Sequence, residues 1–395
     1  PAENLLFMQR KFSMKKSCLN IPTSMIFEAS INEDLLEEAL NEAIGRWDCF
    51  GLRLVKDGKG YKQYFGERKS LGIVRKDFSK STNEAMEAFF DKESRKNIGI
   101  IETPMARFFI IRTPEGHSGV FSVVSHMIID SWSITTFYKD VMDIYFHKAE
   151  GKPYPKDVRP YEKVLAQELE FSRTPAYQEQ KDFWRREYSK GEPIYTHPNG
   201  TANHDKFRKK KGNENARYTR TFRIFSKGSH DIHYISADVV KRMQDFIIDK
   251  QLPSMAVLYQ MAMRLYLGKV NGRQTDVTIY NVLSRRGTLD EKFCGGDRAQ
   301  NVIARTVMPE EMSFLDGLRL ITEQNNEHYR NASFSALEAM ALQKEIYNIR
   351  LGLGYTSTLV TFQPLPMETE GIKVKTNWYA NGSAAIPLYA TVMDG

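Results

Sequence analysis

Cysteine is scarce: 395 residues hold only Cys18, Cys49 and Cys294. They are too few and too scattered for a disulfide framework or for a zinc site, which needs closely spaced ligand pairs, and they fit a reducing compartment best. Long apolar runs are missing too. No stretch approaches the ~20 residues a membrane helix needs, and the start Pro1-Ala2-Glu3-Asn4 has no basic region followed by an apolar one. The expectation is a cytoplasmic, soluble chain with no membrane partner. Neither a P-loop nor a dinucleotide fingerprint is present. Gly116-His117-Ser118-Gly119 lacks the G-x-S-x-G spacing of a nucleophile elbow and reads as a hairpin turn. His230 and His233 stand three apart at a predicted strand start with no cysteine near them, so no metal is expected there.

Charge of one sign is only mildly in excess. Lys plus Arg minus Asp plus Glu is 56 − 49 = +7, which favours acidic partners but leaves no dominant basic stripe, so no nucleic-acid partner is expected. The one basic run, Lys206, Arg208, Lys209, Lys210 and Lys211, has polar flanks and reads as a solvated loop. With 41% hydrophobic and 27% charged residues the chain is ordinary globular material, long enough for two lobes.

Apolar periodicity organises the rest. Asn32 to Trp47 carries Leu35, Leu36, Ala39, Leu40, Ala43 and Ile44 at helical spacing, with Ser30 or Asn32 as cap. Leu52–Val55, a turn at Asp57-Gly58 and Tyr61–Phe65 form a hairpin, and 106–111 pairs with 119–124 through Pro114-Glu115-Gly116. The second of these strands stops at Ser125-His126, and a helix starts after Asp130. A Lys, Gly and Pro-containing stretch over 148–160 marks the lobe boundary, giving lobes 1–160 and 161–395. Beyond it the pattern predicts a helical stretch over 161–188, a strand at His233-Tyr234-Ile235, a helix capped by Ser236, a helix from Ser254 to Leu267 between Pro253 and Gly268, and strands at 276–283 and 355–362. Alternating helices and strands in both halves give the α/β class.

His126 and Asp130 lie four residues apart on the strand-to-helix loop. An imidazole, with an unperturbed pKa near neutral pH, can act there as a general base toward an attacking amine or hydroxyl. A lone histidine beside an apolar strand is more often a satisfied core residue. The loop sequence SHMIIDSWS, however, resembles the H-H-x-x-x-D-G-W-S signature of condensation domains of nonribosomal peptide synthetases, within the chloramphenicol-acetyltransferase-like superfamily. Features in the same order agree with that family: the helix and corner over 32–53, the helix reaching Phe183-Trp184, the helix, turn and strand over 253–286 ending in Arg286, and more loosely Gly296, Asn301 and Arg305. The chain departs at Trp47, at Ser125 (the first His), at Ser131 (the Gly), and in lacking a clear D-F-G-W-G type motif.

The resemblance implies two chloramphenicol-acetyltransferase-like lobes in a V-shaped pseudo-dimer with His126 in a tunnel between them. It makes His126 the catalytic residue, Asp130 structural and paired with Arg286, and Ser125 and Ser131 its neighbours at the site. It further implies transfer of an acyl or aminoacyl group from a phosphopantetheine thioester to an amine or hydroxyl, without a covalent acyl-enzyme. An acyl or peptidyl carrier protein is the expected partner, the acceptor being a small molecule or carrier-bound, and no bound cofactor or metal is expected. The alternatives are a stand-alone coenzyme A-dependent acyltransferase, or a degenerate domain that recruits a carrier protein or tailoring enzyme, a reading that Ser125 and Ser131 keep open.

Overall fold

A computed structural model of the chain describes residues 2–58, 60–68, 71–221, 227–363 and 372–393, with backbone only at residues 2 and 3. The first part runs α1 (Ala2–Phe12), β1 (Asn20–Phe27), α2 (Glu33–Arg46), β2 (Leu52–Asp57), β3 (Gly60–Phe65), β4 (Val74–Asp77), α3 (Asn83–Ser94), β5 (Ala106–Arg112), β6 (Ser118–Ser125) and α4 (Ser131–Glu150). Then come α5 (Tyr161–Phe171), α6 (Pro175–Ser189), α7 (Ala202–Lys211), β7 (Thr219–Arg220), α8 (Ala237–Asp249), α9 (Met255–Val270), β8 (Asp276–Leu283) and α10 (Leu289–Lys292). The chain continues through β9 (Gln300–Val307), α11 (Phe314–Arg330), α12 (Ala336–Tyr347), β10 (Leu353–Gly354), β11 (Thr358–Gln363), β12 (Val374–Trp378) and β13 (Leu388–Met393).

Two main sheets result, ordered β12-β1-β6-β5-β4 and β13-β11-β8-β9. Strand alternation sorts the first sheet's core onto two faces. Phe108 meets Phe137 of α4 at 5.7 Å between ring centres, whereas its neighbour Phe109 meets Phe89 of α3 at 5.3 Å on the other side. Helices α2 and α4 therefore cover one face and α3 the other. Asn32 starts α2 as its cap, its side chain accepting from the Asp34 and Leu35 amides. In the second sheet, Trp184, Tyr188, Phe334 and Leu342 pack with Leu283 and Val302, while Val257 and Met261 of α9 meet Leu318 and Ile321 of α11.

Several expectations are corrected. The basic run is the last part of helix α7, closed by Gly212 at φ 61° and fixed by Arg208 Nε donating to Ala216 O at 2.9 Å. The 161–188 stretch breaks at Ser172–Thr174, where Thr174 caps α6. His233-Tyr234-Ile235 forms no strand, and Tyr234 is exposed. Gly268 does not end α9, which runs on to Val270: a Cβ at 268 would lie 2.6 Å from Gln274 O, so glycine serves close packing there rather than a stop. The 355–362 strand begins only at Thr358.

A cut at residue 160 does not separate the two sheets. Strand β12 pairs antiparallel with β1, from Phe27↔Val374 to Thr23↔Trp378. Tyr379 behind it packs on Phe90 and Phe121 at 5.2 and 5.6 Å, with its hydroxyl 3.1 Å from Ser24 Oγ. Truncating this half-buried ring, Tyr379→Ala, is expected to cost about 2 kcal/mol in urea unfolding, somewhat below the usual loss for a fully buried aromatic. An unchanged midpoint would mean that the β12 segment does not stabilise the first sheet.

Candidate active site

His126 is held by its neighbours before its own side chain makes any contact. Its amide donates to Leu19 O at 2.7 Å, and the Ser125 amide donates to Met105 O at 2.8 Å. Ser125 also closes the turn: its carbonyl accepts from Ile128 N at 3.0 Å and its hydroxyl from Met127 N at 3.3 Å. Met127, Ile128 and Ile129 are buried in the first core, which anchors the loop from below. Asp130 then caps α4 in a reciprocal capping box with Ser133. Ser131, half-buried, is the first helical residue.

Behind this loop lies a buried ionic clasp. Asp130 Oδ2 accepts from Arg286 Nη2 at 2.8 Å and Nε at 3.3 Å and from the Arg298 amide at 2.9 Å; Oδ1 accepts from the Ser133 amide at 2.8 Å. Both side chains of the pair are almost fully buried. Burial pushes the Asp130 carboxyl up, but the Arg286 charge and the Ser133 and Arg298 amides outweigh it and hold the group below the usual carboxylate range. Arg286 also donates to Cys294 O at 3.1 Å and Gly296 O at 3.0 Å. The adjacent Arg285, at φ 47°, turns the other way and meets Glu168 of α5 at 2.6 Å, a carboxylate shared with Arg298 at 2.5 Å.

The 294–298 segment can come this close only because of its glycines. A Cβ on Gly295 would lie 2.3 Å from Cys49 Sγ, and one on Gly296, at φ 82°, 2.0 Å from the Tyr161 ring. The close approach places Asp297 beside His126. Asp297 is 3% exposed, and its Oδ1 stands 3.6 Å from His126 Nδ1, longer than a hydrogen bond. His126 Nδ1 is itself buried with no hydrogen-bond partner, while the side chain as a whole is 32% exposed, so the accessible nitrogen is Nε2. Burial raises the Asp297 carboxyl to about 7 despite the opposing His126 charge, with Asp130 adding to the rise and Arg285 and the Ala299 amide countering it.

Of the residues read from sequence, the structure brings Ser125, His126, Asp130, Ser131 and Arg286 to one place. The Ser133 amide at the start of α4 is committed to Asp130 and is not free to donate to a developing oxyanion. Gly296 belongs to the clasp, whereas Arg305 pairs with Asp276 at 2.8 Å and Asn301 is exposed. Asp297, Arg298 and Glu168 were missed; the available signal was a Gly-Gly-Asp-Arg run whose small residues announce a close backbone approach. Among the described residues there is no His, Cys, Asp or Glu group that could hold a metal, and Cys18, Cys49 and Cys294 are free thiols. None of the described helices is long and apolar enough to cross a membrane.

The two sheet-containing α/β lobes have the chloramphenicol-acetyltransferase-like fold. The Condensation domain family model matches residues 3–340, and the chain belongs to that family. It is 20% identical over 385 residues to a plipastatin synthase from Bacillus subtilis (strain 168), covering 96% of this chain but 14% of that protein. A linear gramicidin synthase from Brevibacillus parabrevis is 23% identical over 203 residues, which is 50% of this chain and 4% of that one. The chain thus spans a small fraction of these synthases. A mutant starter condensation domain of rhizomide synthetase in complex with C8-CoA superposes with TM-score 0.80 at 14% identity, covering 98% of this chain and 84% of that one. VibH, a nonribosomal peptide synthetase condensation enzyme, superposes with TM-score 0.77 at 13% identity over 97% and 84%.

The raised Asp297 carboxyl makes a stability prediction. In an unfolded chain an aspartate titrates near ~4, so the folded protein binds the extra proton between pH ~4 and about 7 and loses stability as pH rises through that window. Asp297→Asn is therefore expected to be more stable than the parent above pH 7, with the gap closing toward pH 4, as read by thermal unfolding. A less stable variant at pH 8 would contradict the assignment.

Proposed function

We propose that this chain transfers an acyl or aminoacyl group from a phosphopantetheine thioester to an amine or hydroxyl, with His126 as general base. The observation that carries this reading is the accessible Nε2 of an imidazole fixed just past the end of β6, beside Asp297. As the acceptor attacks the thioester carbonyl, Nε2 takes its proton; the new C–N or C–O bond forms, the C–S bond breaks, and the proton passes to the departing sulfur as a thiol. No covalent acyl-enzyme is needed. Asp130, Arg286, Ser125 and Ser131 act on the loop, not on the substrate.

Kinship with peptide synthases supports an acyl or peptidyl carrier protein as the bearer of the donor, in nonribosomal peptide synthesis. The C8-CoA in one structural relative supports coenzyme A as an alternative bearer. A carrier-recruiting domain without catalysis is the second reading, favoured by Ser125 and Ser131 where the family signature has His and Gly.

General-base catalysis is worth about 10²- to 10⁴-fold. Intact-mass analysis of loaded carrier proteins or acyl-CoA donors is expected to show transfer by the parent protein, and His126→Ala is expected to lower turnover by a factor in that range with little change in melting temperature. Unchanged turnover in His126→Ala would refute the assignment; no turnover by the parent with any donor would favour the recruiting domain.

A further inference from the structure

We propose that Asp297 is a positioning residue for His126: its carboxylate takes the Nδ1 proton in hydrogen bond, fixes the Nδ1–H tautomer, and so leaves the lone pair on the accessible Nε2. The inference rests on the reading of His126 as the base.

A neutral imidazole has one proton to place, and where it goes decides whether the ring can act as a base toward the cleft. With the proton on Nε2, the accessible nitrogen is a donor and cannot accept from an amine or hydroxyl. Something must hold the proton on Nδ1. That nitrogen is buried and has no hydrogen-bond partner, an arrangement that costs free energy unless a partner can close on it. Asp297 Oδ1 is the group in place, 3.6 Å away, so a movement of about half an ångström makes the bond, and such contacts commonly tighten when substrate binds.

The carboxylate is itself oriented. Its Oδ1 accepts from the Ala299 amide at 3.0 Å, and its backbone sits in the segment that Gly295 and Gly296 bring against Cys49 and Tyr161. The charged and titratable groups acting on it are His126 from the loop after β6, Asp130 from the start of α4, Arg285 from the end of β8 and Tyr389 from β13. Asp130 is balanced by Arg286, and Arg298, next in the chain, is engaged by Glu168 and Glu291. Asp297 is therefore the carboxylate whose counter-charge is His126, and the imidazolium formed during transfer is stabilised where it forms.

The proton balance predicts a pH signature. At low pH the pair holds a proton and Nε2 is not free; as pH rises that proton leaves and the base appears, giving an acid limb in kcat/KM that belongs to the pair. Asp297→Asn keeps an oxygen for the Ala299 amide but removes the carboxylate that shares the pair's proton, so the acid limb moves to lower pH and plateau kcat falls at least about tenfold with KM nearly unchanged. A purely structural role for Asp297 moves no limb.

The experiment compares pH profiles of the parent, Asp297→Asn and His126→Ala with one donor and acceptor, alongside 15N spectra of histidine-labelled parent and Asp297→Asn protein. The spectra are expected to show Nδ1–H for His126 in the parent above pH 8 and a shift toward Nε2–H in the variant, a readout that needs no turnover. An unmoved acid limb and an unchanged tautomer in Asp297→Asn, with His126→Ala inactive, would overturn the inference and leave the base assignment standing. An active His126→Ala would instead overturn the base assignment.

Discussion

The buried pair of Asp130 and Arg286 is the constraint on which the rest of the site depends. A carboxylate taken out of water is expensive, and here the expense is offset by a guanidinium at 2.8 Å and by the amides of Ser133 and Arg298. One side chain thereby ties together the start of α4, the end of β8 and the segment that follows α10. Removing one partner of such a pair leaves an uncompensated charge, which costs about 3–5 kcal/mol, so the loop has little freedom to move away. The position of His126, three residues before Ile129, follows from that anchoring as much as from the strand it ends.

Asp297, one residue before the Arg298 amide that Asp130 accepts from, is the opposite case. It is buried as thoroughly as Asp130, yet its surroundings leave it poised near neutrality at about 7 rather than firmly charged. Above neutral pH such a buried group costs the fold stability, and two glycines are constrained to bring it in. Paired titratable groups whose environments push them apart are characteristic of sites that move protons. Asp130 supplies the rigidity and Asp297 the responsiveness, and His126 lies between the two behaviours.

What was legible in the sequence was local. The apolar spacing of Leu36, Ala39, Leu40 and Ala43 wrote helix α2, the turn at Asp57-Gly58 wrote its hairpin, and strand β8 stood out as a run flanked by turns. The link between Asp130 and Arg286, separated by 156 residues, was reached only through family resemblance, since no local pattern encodes it. Strand β12 escaped for the same reason: its place beside β1 is set by a pairing across most of the chain. Helix α7 was misread because a run of lysines has good helix propensity but no apolar face to announce it. Asp297 was invisible as a site residue because one aspartate after two glycines has no meaning until the fold sets it against a histidine.

If the Asp130–Arg286 clasp holds the two halves of the site together, a double-mutant cycle shows it most directly. Asp130→Asn, Arg286→Met and the double variant would be compared with the parent by urea unfolding at pH 7. Each single change is predicted to be strongly destabilising and the double change to cost much less than their sum, with a coupling of about 2–3 kcal/mol. Additive single effects, with coupling below about 0.5 kcal/mol, would contradict the clasp.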